Sequence, residues 1–475
     1  MPDLAIHWFR QDLRLGDNPA LTEAARHGTV LPVYVLDDVS AGPHAMGGAS
    51  RWWLHRSLER LNASLGGRLH VVTGNARECL PALAEQVGAR LVTWNRCYEP
   101  WRVTRDSLLK RELHERGIEV RSSNASLLWE PWDVSKPDGT PYRVFTPYFR
   151  RGCLNAIPPR KPLPAPELEL VRDLPPTEVA ELGLLPPTPW HESLEPHWQP
   201  GESGARERLA QFLGSGLADY REGRNFPDRE SVSRLSPHLH FGELSPNVAW
   251  HASLDREKQA VSDAPDGNAD HFRSELGWRE FSYSMLYHFP QLPEANLQPK
   301  FDAFPWRADE STLRAWQNGR TGIPIVDAGM RELWQTGYMH NRVRMIVASF
   351  LVKNLGIDWR CGARWFWDTL VDADLANNSA SWQWVAGCGA EAAPYFRIFN
   401  PVMQGHKFDP DGRYIRRWIP ELRGCPPRHL YSPWTAPAEE LAAADIVLGE
   451  TYPAPMVDLK GSREAALAAF RSLAV

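Results

Sequence analysis

The sequence predicts an α/β domain with a doubly wound parallel sheet, followed by an all-α domain. Short apolar segments alternate with stretches of helical polarity through the first 120 residues, and this is the pattern of parallel strands joined by helices. From about Glu202 onward, apolar residues recur at helical spacing instead. Between these parts, residues 131–200 hold 16 of the 41 prolines. We therefore predict an α/β domain over 1–130, a Pro-rich connector over 131–200 and an all-helical domain over 201–475.

Five apolar segments are predicted as the strands of the first domain. In chain order they are LAIHWF, VLPVYVL, LHVV, LVTW and IEV. A helix is predicted between the second and the third segment, over residues 50–65. No G-x-G-x-x-G motif follows the first segment, so the usual dinucleotide fingerprint is absent. This domain therefore need not hold the main cofactor.

The connector is rich in proline, whereas the second domain has the apolar spacing of helices. Proline removes a backbone donor and disrupts helix interiors, so we expect neither a long helix nor a central strand in the connector. In the second domain, the apolar spacing predicts helices over 205–213, 272–287, 325–335 and 342–355.

Charge and composition exclude several classes of protein. The formal net charge of −5 gives no global sign of a nucleic-acid-binding protein, so any such site must be a local basic patch. The six cysteines form no C-x-x-C pair and no cluster with histidine at metal-ligand spacing, so we predict no metal site. No apolar run of about 18 residues occurs, and the first residues do not form a signal peptide. We expect a soluble, cytoplasmic protein with no membrane association.

Tryptophan is unusually frequent in the second half of the chain. Of the 21 tryptophans, 12 lie at or after Trp250. Such a surplus fits a large aromatic core, stacking against bases or a flat cofactor, or passage of electrons between indoles. Composition alone leaves these three possibilities open.

Four segments of the helical half combine many polar and aromatic residues. They are YREGRNFPDRESVSRLSPHLHFGELSP, SELGWREF, GYMHNRVRMI and DADLANNSASWQWVAG. Arginine, glutamate and asparagine inside apolar helices each cost several kcal/mol unless they are paired, so together they indicate a polar cavity.

These segments resemble the photolyase/cryptochrome family. The resemblance includes HWFRQDLRLGDNPAL, GRTGIPIVDAGMREL and FRIFNPVMQGHKFDPDGRYIRRWIPEL, and it covers nearly the whole chain except the connector and the last 40 or so residues. WREFSYSMLYHFP and FDAFPWR are most similar to the class III bacterial branch. The resemblance implies an α/β antenna-type domain, a helical FAD-binding domain and light-driven repair of cyclobutane pyrimidine dimers in DNA.

The resemblance assigns a set of residues to FAD. Those at its phosphates are Tyr220, Ser233, Leu235, Ser236 and Arg279, and those around the flavin ring and adenosine are Arg344, Asp372, Asp374 and Asn378. Hydroxyls and backbone N–H groups at the start of a helix suit an anion on physical grounds as well. The family usually has threonine where this chain has Val232. Plant cryptochromes carry aspartate where this chain has Asn378, and the neutral amide favours fully reduced flavin; a capped turn is the structural alternative for Asn378.

A second set matches positions that contact the DNA lesion: Glu275, Trp278, Asn341, Met345 and Trp384. Two indoles can stack on an extruded pair of bases, as they do in base-flipping enzymes. Arg342 and Arg397 are the predicted phosphate contacts. Plant cryptochromes usually lack tryptophan at the place of Trp384, and (6-4) photolyases carry a histidine pair in place of His340-Asn341. Both differences favour the cyclobutane dimer as substrate.

The resemblance also assigns residues to electron and energy transfer. Trp382, Trp359 and Trp306 match the family's chain of electron-hopping tryptophans, although their spacing alone would make each a core residue. Glu99, at the end of a predicted strand where α/β sheets bind ligands, resembles the carboxylate that binds a 5,10-methenyltetrahydrofolate antenna. An 8-hydroxydeazaflavin or an empty site would leave much the same sequence.

The implied mechanism is electron transfer from light-excited reduced FAD to the flipped dimer. Glu275 would stabilise the charge that develops on a base carbonyl oxygen, and the electron returns once the ring has opened. We expect the protein to be a monomer. One rival function is that of a cryptochrome, a photoreceptor without repair activity, which would show a long C-terminal tail and a different residue at Asn378. Another rival is a light-independent flavin oxidoreductase, which gives no role to Arg342 or Trp384.

Overall fold

The chain forms two compact units in the computed structural model, which describes residues 3–175, 177–259, 267–392, 394–395 and 397–474. The first unit consists of the described residues of Met1–Ala218, Ser233–Pro290 and Val371–Ala376. The second consists of those of Asp219–Val232, Gln291–Leu370 and Asn377–Val475. The predicted boundaries at residues 130 and 200 divide the chain differently and stay predictions.

The first unit contains a parallel sheet of five strands. The strands are β1 (Leu4–Phe9), β2 (Thr29–Leu36), β3 (His70–Thr73), β4 (Leu91–Asn95) and β5 (Glu119–Ser123). Their order is β3-β2-β1-β4-β5, and every neighbouring pair is parallel. The order reverses between β1 and β4, as in a doubly wound sheet, so the predicted fold class is confirmed.

The three inner strands, β2, β1 and β4, form because their side chains are buried on both faces, whereas the edge strands β3 and β5 are partly exposed. Ile6, Trp8, Val33, Val92 and Trp94 belong to one core cluster with residues of the neighbouring helices. Near-continuous apolar runs of this kind are typical of strands covered by helices on each side.

The α-helices were expected to follow the apolar periodicity. In chain order, those in the described residues are α1 (Pro19–His27), α2 (Asp38–Ala41), α3 (Gly48–Ser64), α4 (Ala76–Val87), α5 (Pro100–Glu115), α6 (Phe145–Pro147), α7 (Glu202–Gly214), α8 (Tyr220–Gly223), α9 (Ser236–His240), α10 (Pro246–Gln259), α11 (Asn268–His288), α12 (Glu310–Gln317), α13 (Pro324–Thr336), α14 (Asn341–Ser349), α15 (Trp359–Thr369), α16 (Leu375–Ala386), α17 (Pro401–Phe408), α18 (Arg413–Trp418), α19 (Ala438–Ala443) and α20 (Leu459–Arg471). All five predicted helices are present. No helix in the described ranges is long and apolar enough to cross a membrane.

Two segments differ from the expectation. The helix predicted over 342–355 is α-helical only to Ser349 and continues as a π-helical turn, Phe350–Asn354. In the connector, the chain is continuously helical from Phe145 to Asn155, with α, π and 3-10 geometry in succession. Pro147 lies in the first turn of this stretch, where a backbone N–H has no intrahelical partner in any case.

Candidate active site

In the first unit, Asp374 is bound by two ring side chains. Its Oδ2 accepts a hydrogen bond from the Tyr283 hydroxyl on α11, and His240 Nδ1 on α9 lies 3.3 Å from the same oxygen. Burial alone would raise the pKa of Asp374, but the hydrogen bond and charge of His240, the Arg279 charge and the Tyr283 hydroxyl together lower it. The carboxyl is therefore ionised at neutral pH.

Three of the predicted phosphate residues, Ser233, Leu235 and Ser236, lie in one turn before and at the start of α9. The Ser236 hydroxyl donates to Asp372 Oδ2 at 2.6 Å, and Ser233 Oγ accepts the Leu235 N–H at 3.4 Å. Arg234, between them, has φ of +52°, a left-handed conformation that non-glycine residues rarely adopt. The structure thus brings Ser236 and Asp372 together, as expected for one site.

Arg279 and Glu280 lie on α11 and bind the segment that follows β5. Arg279 Nη1 donates to the Ser126 carbonyl at 2.6 Å and lies 3.4 Å from Glu280 Oε1. Glu280 Oε2 accepts the backbone N–H groups of Leu128 and Trp129 at 2.9 and 3.2 Å. Burial raises the pKa of Glu280 to about 7, against the Arg279 charge and these two hydrogen bonds.

Glu275 and Trp278 are one turn apart on α11, as predicted. Trp278 is half-buried and stacks on Phe145, with ring centroids 3.8 Å apart and an interplanar angle of 10°. Glu275 is also half-buried, and its Oε1 lies 3.9 Å from His271 Nε2. Both side chains are therefore fixed in the first unit and retain partial exposure.

Glu99 ends the segment after β4 and is the N-cap residue of α5. Its side chain is buried, Oε1 lies 3.6 Å from Arg102 Nε, and Oε2 makes no hydrogen bond within the described part of the chain. A buried carboxylate oxygen without a donor is costly unless a ligand supplies one.

In the second unit, Arg342 is held without an acidic partner. Its Nη2 donates to Asn225 Oδ1 at 2.5 Å, and its guanidinium lies 4.4 Å from the centroid of the Phe408 ring. Burial, together with the charge of Arg224, lowers the pKa of Arg342. No ion pair of Arg342 with a carboxylate is found among the described residues. A half-buried cation in this position is prepared for an external anion.

Three further predicted residues of the second unit, Asn341, Arg344 and Met345, lie on the helix of Arg342, and a fourth, Tyr220, lies on α8. Asn341 is exposed at the start of α14, and Met345 is half-buried one turn later, with its Sδ 3.8 Å from Arg342 Nη1. Arg344 Nε donates to the Met339 carbonyl at 2.7 Å. Tyr220 is buried, with the Arg224 guanidinium 5.5 Å from its ring centroid.

Asn378 lies on α16 and is oriented by one hydrogen bond. Its Nδ2 donates to the Ala363 carbonyl on α15 at 3.0 Å. The amide is thereby anchored through nitrogen, which directs Oδ1 away from α15. This contact joins two helices rather than capping a turn, so the structural alternative of a capped turn does not account for it.

The three tryptophans of the predicted electron chain differ in exposure. Trp382 and Trp359 are buried, and Trp306 is half-buried. Trp382 packs edge-on against Phe366, at 5.0 Å between centroids, and Trp306 lies 4.2 Å from Phe304. The Trp359 indole donates to Asn296 Oδ1 at 3.0 Å. Two of these indoles therefore lie in the interior, and the third reaches the surface.

Trp384 and Arg397 are the remaining predicted DNA contacts. Trp384 is half-buried on α16, and Arg397 is exposed. The Arg397 carbonyl accepts a hydrogen bond from buried Lys353 at 3.1 Å. Burial, with the Arg397 charge, lowers the pKa of Lys353 to about 8.

Sequence reasoning missed several residues that organise the site. Tyr283 and His240 bind Asp374 across 91 and 134 positions of the chain. Gln383, between Trp382 and Trp384, is fully buried; its Nε2 donates to the Leu292 and Ala295 carbonyls at 2.7 and 2.8 Å. One sign of these buried contacts was visible in the sequence: a glutamine stands between two tryptophans inside an apolar helix. No group of ligands that could hold a metal ion is found among the described residues.

Two families of known proteins match separate parts of the chain. Residues 5–167 match the family described as DNA photolyase, and residues 272–472 match the FAD binding domain of DNA photolyase. A deoxyribodipyrimidine photo-lyase of Agrobacterium fabrum is 49% identical over 98% of both chains. Cryptochrome-2 of Arabidopsis thaliana is 40% identical over 98% of this chain and 78% of its own.

Among solved structures, a bacterial class III photolyase from Agrobacterium tumefaciens superposes with a TM-score of 0.95 and 47% identity. The match covers 100% of this chain and 98% of that one. A cryptochrome of Synechocystis has a TM-score of 0.89 and 31% identity, over 98% of this chain and 99% of its own. The chain belongs to the photolyase/cryptochrome family and carries that family's FAD-binding domain.

Proposed function

We propose that the chain is a deoxyribodipyrimidine photo-lyase, which repairs cyclobutane pyrimidine dimers in DNA by light-driven electron transfer from reduced FAD. The observation that carries this proposal is Arg342, a half-buried cation that has no acidic partner among the described residues and lies on the helix that also bears Asn341 and Met345. A DNA phosphate would supply the missing anion. The greater identity to a photo-lyase, 49%, than to a plant cryptochrome, 40%, supports repair over signalling.

FAD would be held by the residues that the resemblance assigns to it. The chemistry of the donor set fits a dinucleotide: the Ser233 and Ser236 hydroxyls and the Arg279 guanidinium suit phosphates. Arg344 suits a reduced, anionic ring, because a cation offsets its charge. The Asn378 amide, anchored through its nitrogen, offers an uncharged acceptor. When bound and reduced, FAD supplies the excited electron that opens the dimer and takes it back afterwards.

The dimer would be bound by side chains of α11, α14 and α16. Extrusion of the target bases is established for photolyases as a class. Trp278 and Trp384 offer flat surfaces for the two bases, and Trp278 is kept in place by its stack on Phe145. Asn341 and Met345 share a face of α14 and would contact the base edges.

Glu275 would act on the charge that appears during cleavage. Its half-buried carboxyl, when protonated, can donate a hydrogen bond to a base carbonyl oxygen, and this bond strengthens as the oxygen gains negative charge. His271, 3.9 Å away, is the group on its own helix that would hold the carboxyl in position.

Trp382, Trp359 and Trp306 would carry electrons that restore reduced flavin after oxidation. The burial of Trp382 and Trp359 and the partial exposure of Trp306 support a path that ends at solvent. This reduction of the flavin by tryptophans is separate from repair. Protein whose flavin is already reduced holds the electron that the dimer needs.

A light-harvesting folate, 5,10-methenyltetrahydrofolate, would bind at Glu99. The buried Oε2 without a donor supports this, because a pterin amino group would supply the hydrogen bond. The site lies at the carboxyl end of β4, where ligands bind in α/β sheets. A monomeric state and a cytoplasmic location remain predictions.

The test is repair under illumination. Chemically reduced protein is mixed with an oligonucleotide that contains one thymine dimer, and the return of monomeric thymines is followed by chromatography with and without blue light. We expect restoration only in the light. Binding of FAD with light-driven changes in its absorbance, but without restored thymines, would favour the cryptochrome alternative.

A further inference from the structure

The indole N–H of Trp359 is bound in a line of two hydrogen bonds that leads to the surface. Trp359 is fully buried and donates to Asn296 Oδ1 at 3.0 Å. Asn296, also buried, donates from Nδ2 to Asp302 Oδ1 at 2.7 Å. Asp302 is exposed. The acceptor of the indole is therefore an amide whose other end is bound to a carboxylate.

Such an amide is a stronger acceptor than a backbone carbonyl. The carboxylate polarises the amide and increases the negative charge on Oδ1, since hydrogen bonds in a chain strengthen one another. Buried Trp316 provides the contrast within the same unit, because its indole donates to the Val347 carbonyl at 3.1 Å. The bond at Trp359 gains further when the indole carries positive charge.

Two neighbouring features oppose positive charge on Trp359. It is the first residue of α15, where the helix dipole is positive. The Arg360 guanidinium lies 4.7 Å from its ring centroid. Asp358 offsets Arg360, with 3.0 Å between Nη1 and Oδ2. The positive helix end and Arg360 oppose positive charge on the indole, and Asp358 offsets only Arg360. Asp302 supplies a second negative charge that reaches the indole through Asn296, and with it the local charges favour oxidised Trp359.

We propose that Asn296, polarised by Asp302, is a positioning residue that stabilises oxidised Trp359 and so draws the electron hole outward from Trp382. This inference rests on the electron chain of the proposed function. Trp359 gives one electron to oxidised Trp382, which becomes neutral. The N–H proton stays on Trp359, because an amide oxygen is too weak a base to remove it. Trp306 then reduces Trp359, and an external thiolate reduces Trp306 and becomes a thiyl radical.

The segment that carries Asn296 also holds Gln298, whose side chain binds backbone carbonyls just after the end of α16. Gln298 therefore offers a matched control. Gln298 Nε2 donates to the Gly389 carbonyl at 3.0 Å and to that of Gly387 at 3.4 Å. Gln298→Leu removes these bonds without touching the Trp359 N–H. If Asn296 matters only because it keeps the loop folded, the two substitutions should act alike.

The experiment uses the FAD-loaded, oxidised protein and follows indole radicals by time-resolved absorbance after a laser flash. We expect Asn296→Leu to lower the yield of separated charge about tenfold, in line with loss of a hydrogen bond to a charged group. Asp302→Asn should lower it by about twofold, because an exposed charge is screened. Asn296→Asp should take the proton from oxidised Trp359, so that the spectrum of the neutral indole radical replaces that of the cation. Gln298→Leu should match the parent.

A second measurement does not depend on photochemistry. In flavin-free protein labelled with ¹⁵N-tryptophan, the Trp359 indole N–H resonance should move upfield in Asn296→Leu. Loss of this hydrogen bond with an unchanged radical yield would overturn the proposal, and so would an equal loss of yield in Gln298→Leu. If Asn296→Leu does not fold, Asn296→Asp provides the test. A neutral indole radical in Asn296→Asp supports the proposal, and an unchanged cation radical overturns it. If Trp359→Phe itself leaves the yield unchanged, the electron chain is wrong, which is a separate failure of the proposed function.

Discussion

Burial raises the pKa of Glu280 and lowers the pKa of Arg342, and both shifts have consequences that can be measured. Glu280 is buried with two backbone N–H donors and one arginine at 3.4 Å, and still has a raised pKa. Arg342 is half-buried with an amide and an aromatic ring, and its pKa is lowered. In each case the desolvation of the charged form outweighs the contacts that the protein provides.

Glu280 predicts how stability depends on pH. The pKa of its carboxyl rises from 4.5 to about 7 on folding, so the folded protein binds more protons between these values. The stabilisation by protonated Glu280 is therefore present below about pH 4.5 and lost as the pH rises through 7, by roughly 3 kcal/mol. In Glu280→Gln, the fall in unfolding free energy from pH 5 to pH 8, measured by urea titration, should shrink by about this amount. Substitution of exposed Glu464 by Gln is the control; equal slopes in parent and Glu280→Gln would contradict the prediction.

Arg342 predicts a change in the salt dependence of DNA binding. If its guanidinium neutralises one phosphate, Arg342→Ala should reduce the slope of log K against log salt by roughly one unit. Fluorescence anisotropy with dimer-containing DNA at several salt concentrations measures this slope. Arg314→Ala is the control for net charge, because Arg314 is exposed and paired with Glu310. An unchanged slope in Arg342→Ala would remove this residue from the DNA contact surface.

At the scale of single elements, the packing of α15 against α16 depends on one glycine. A Cβ placed on Gly362 would lie 2.1 Å from Trp382 Cη2 and 2.7 Å from Leu351 Cδ2. Both neighbours are buried. Only glycine therefore allows the Trp382 ring to lie directly on α15.

Gly362→Ala should destabilise the protein although alanine is the better helix former. The helix gains about 1 kcal/mol, but the displaced Trp382 loses more, since overpacking a core typically costs 1–3 kcal/mol, occasionally more. Denaturant unfolding and near-UV circular dichroism measure both effects. Gly214→Ala, near the end of α7 and with no atom within 4 Å of the added Cβ, should show the helix gain without the cost. A stabilised Gly362→Ala would show that the ring can move freely.

The elements themselves were largely predictable from periodicity. Each of the five apolar segments overlaps a strand. The three inner strands are buried on both faces, which needs an uninterrupted apolar run, whereas β3 and β5 are partly exposed. The end of α14 was not predictable. The apolar spacing continues beyond Ser349, whereas the backbone changes there to π geometry, and the side-chain pattern carries no information about such a change.

At the scale of the whole molecule, we predict that the two photochemical tasks use different side chains. Trp382→Phe should block light-driven reduction of bound flavin, because phenylalanine is much harder to oxidise than indole. Chemically reduced Trp382→Phe should still repair. Glu275→Ala should keep photoreduction and lose repair yield, by an effect of about 1–3 kcal/mol.

Flavin absorbance under blue light and dimer loss are followed in the same preparations. Gln383 gives a structural control, because Gln383→Leu disturbs α16 without removing either side chain. Loss of both activities in both variants, with FAD still bound, would mean that these residues support a common core and have no separate tasks.

The site was predictable only where the sequence pattern was long. Asp374 could be assigned from its segment, but its partners Tyr283 and His240 come from two distant helices. The same holds for Glu280, which accepts the backbone N–H groups of Leu128 and Trp129, and for Asn296, which accepts the indole N–H of Trp359. Contacts of this kind arise from the fold, which brings together residues that no local spacing relates.

The path of the chain through the first unit has a consequence for synthesis on the ribosome. Val371–Ala376 belongs to this unit, so the unit stays incomplete while the intervening chain is being made. Asp374 leaves the ribosome 91 residues after Tyr283, a delay of about 5–20 s at ordinary rates of translation. Until then Tyr283 and His240 lack their common acceptor. A nascent chain that stalls before this point therefore cannot complete the first unit.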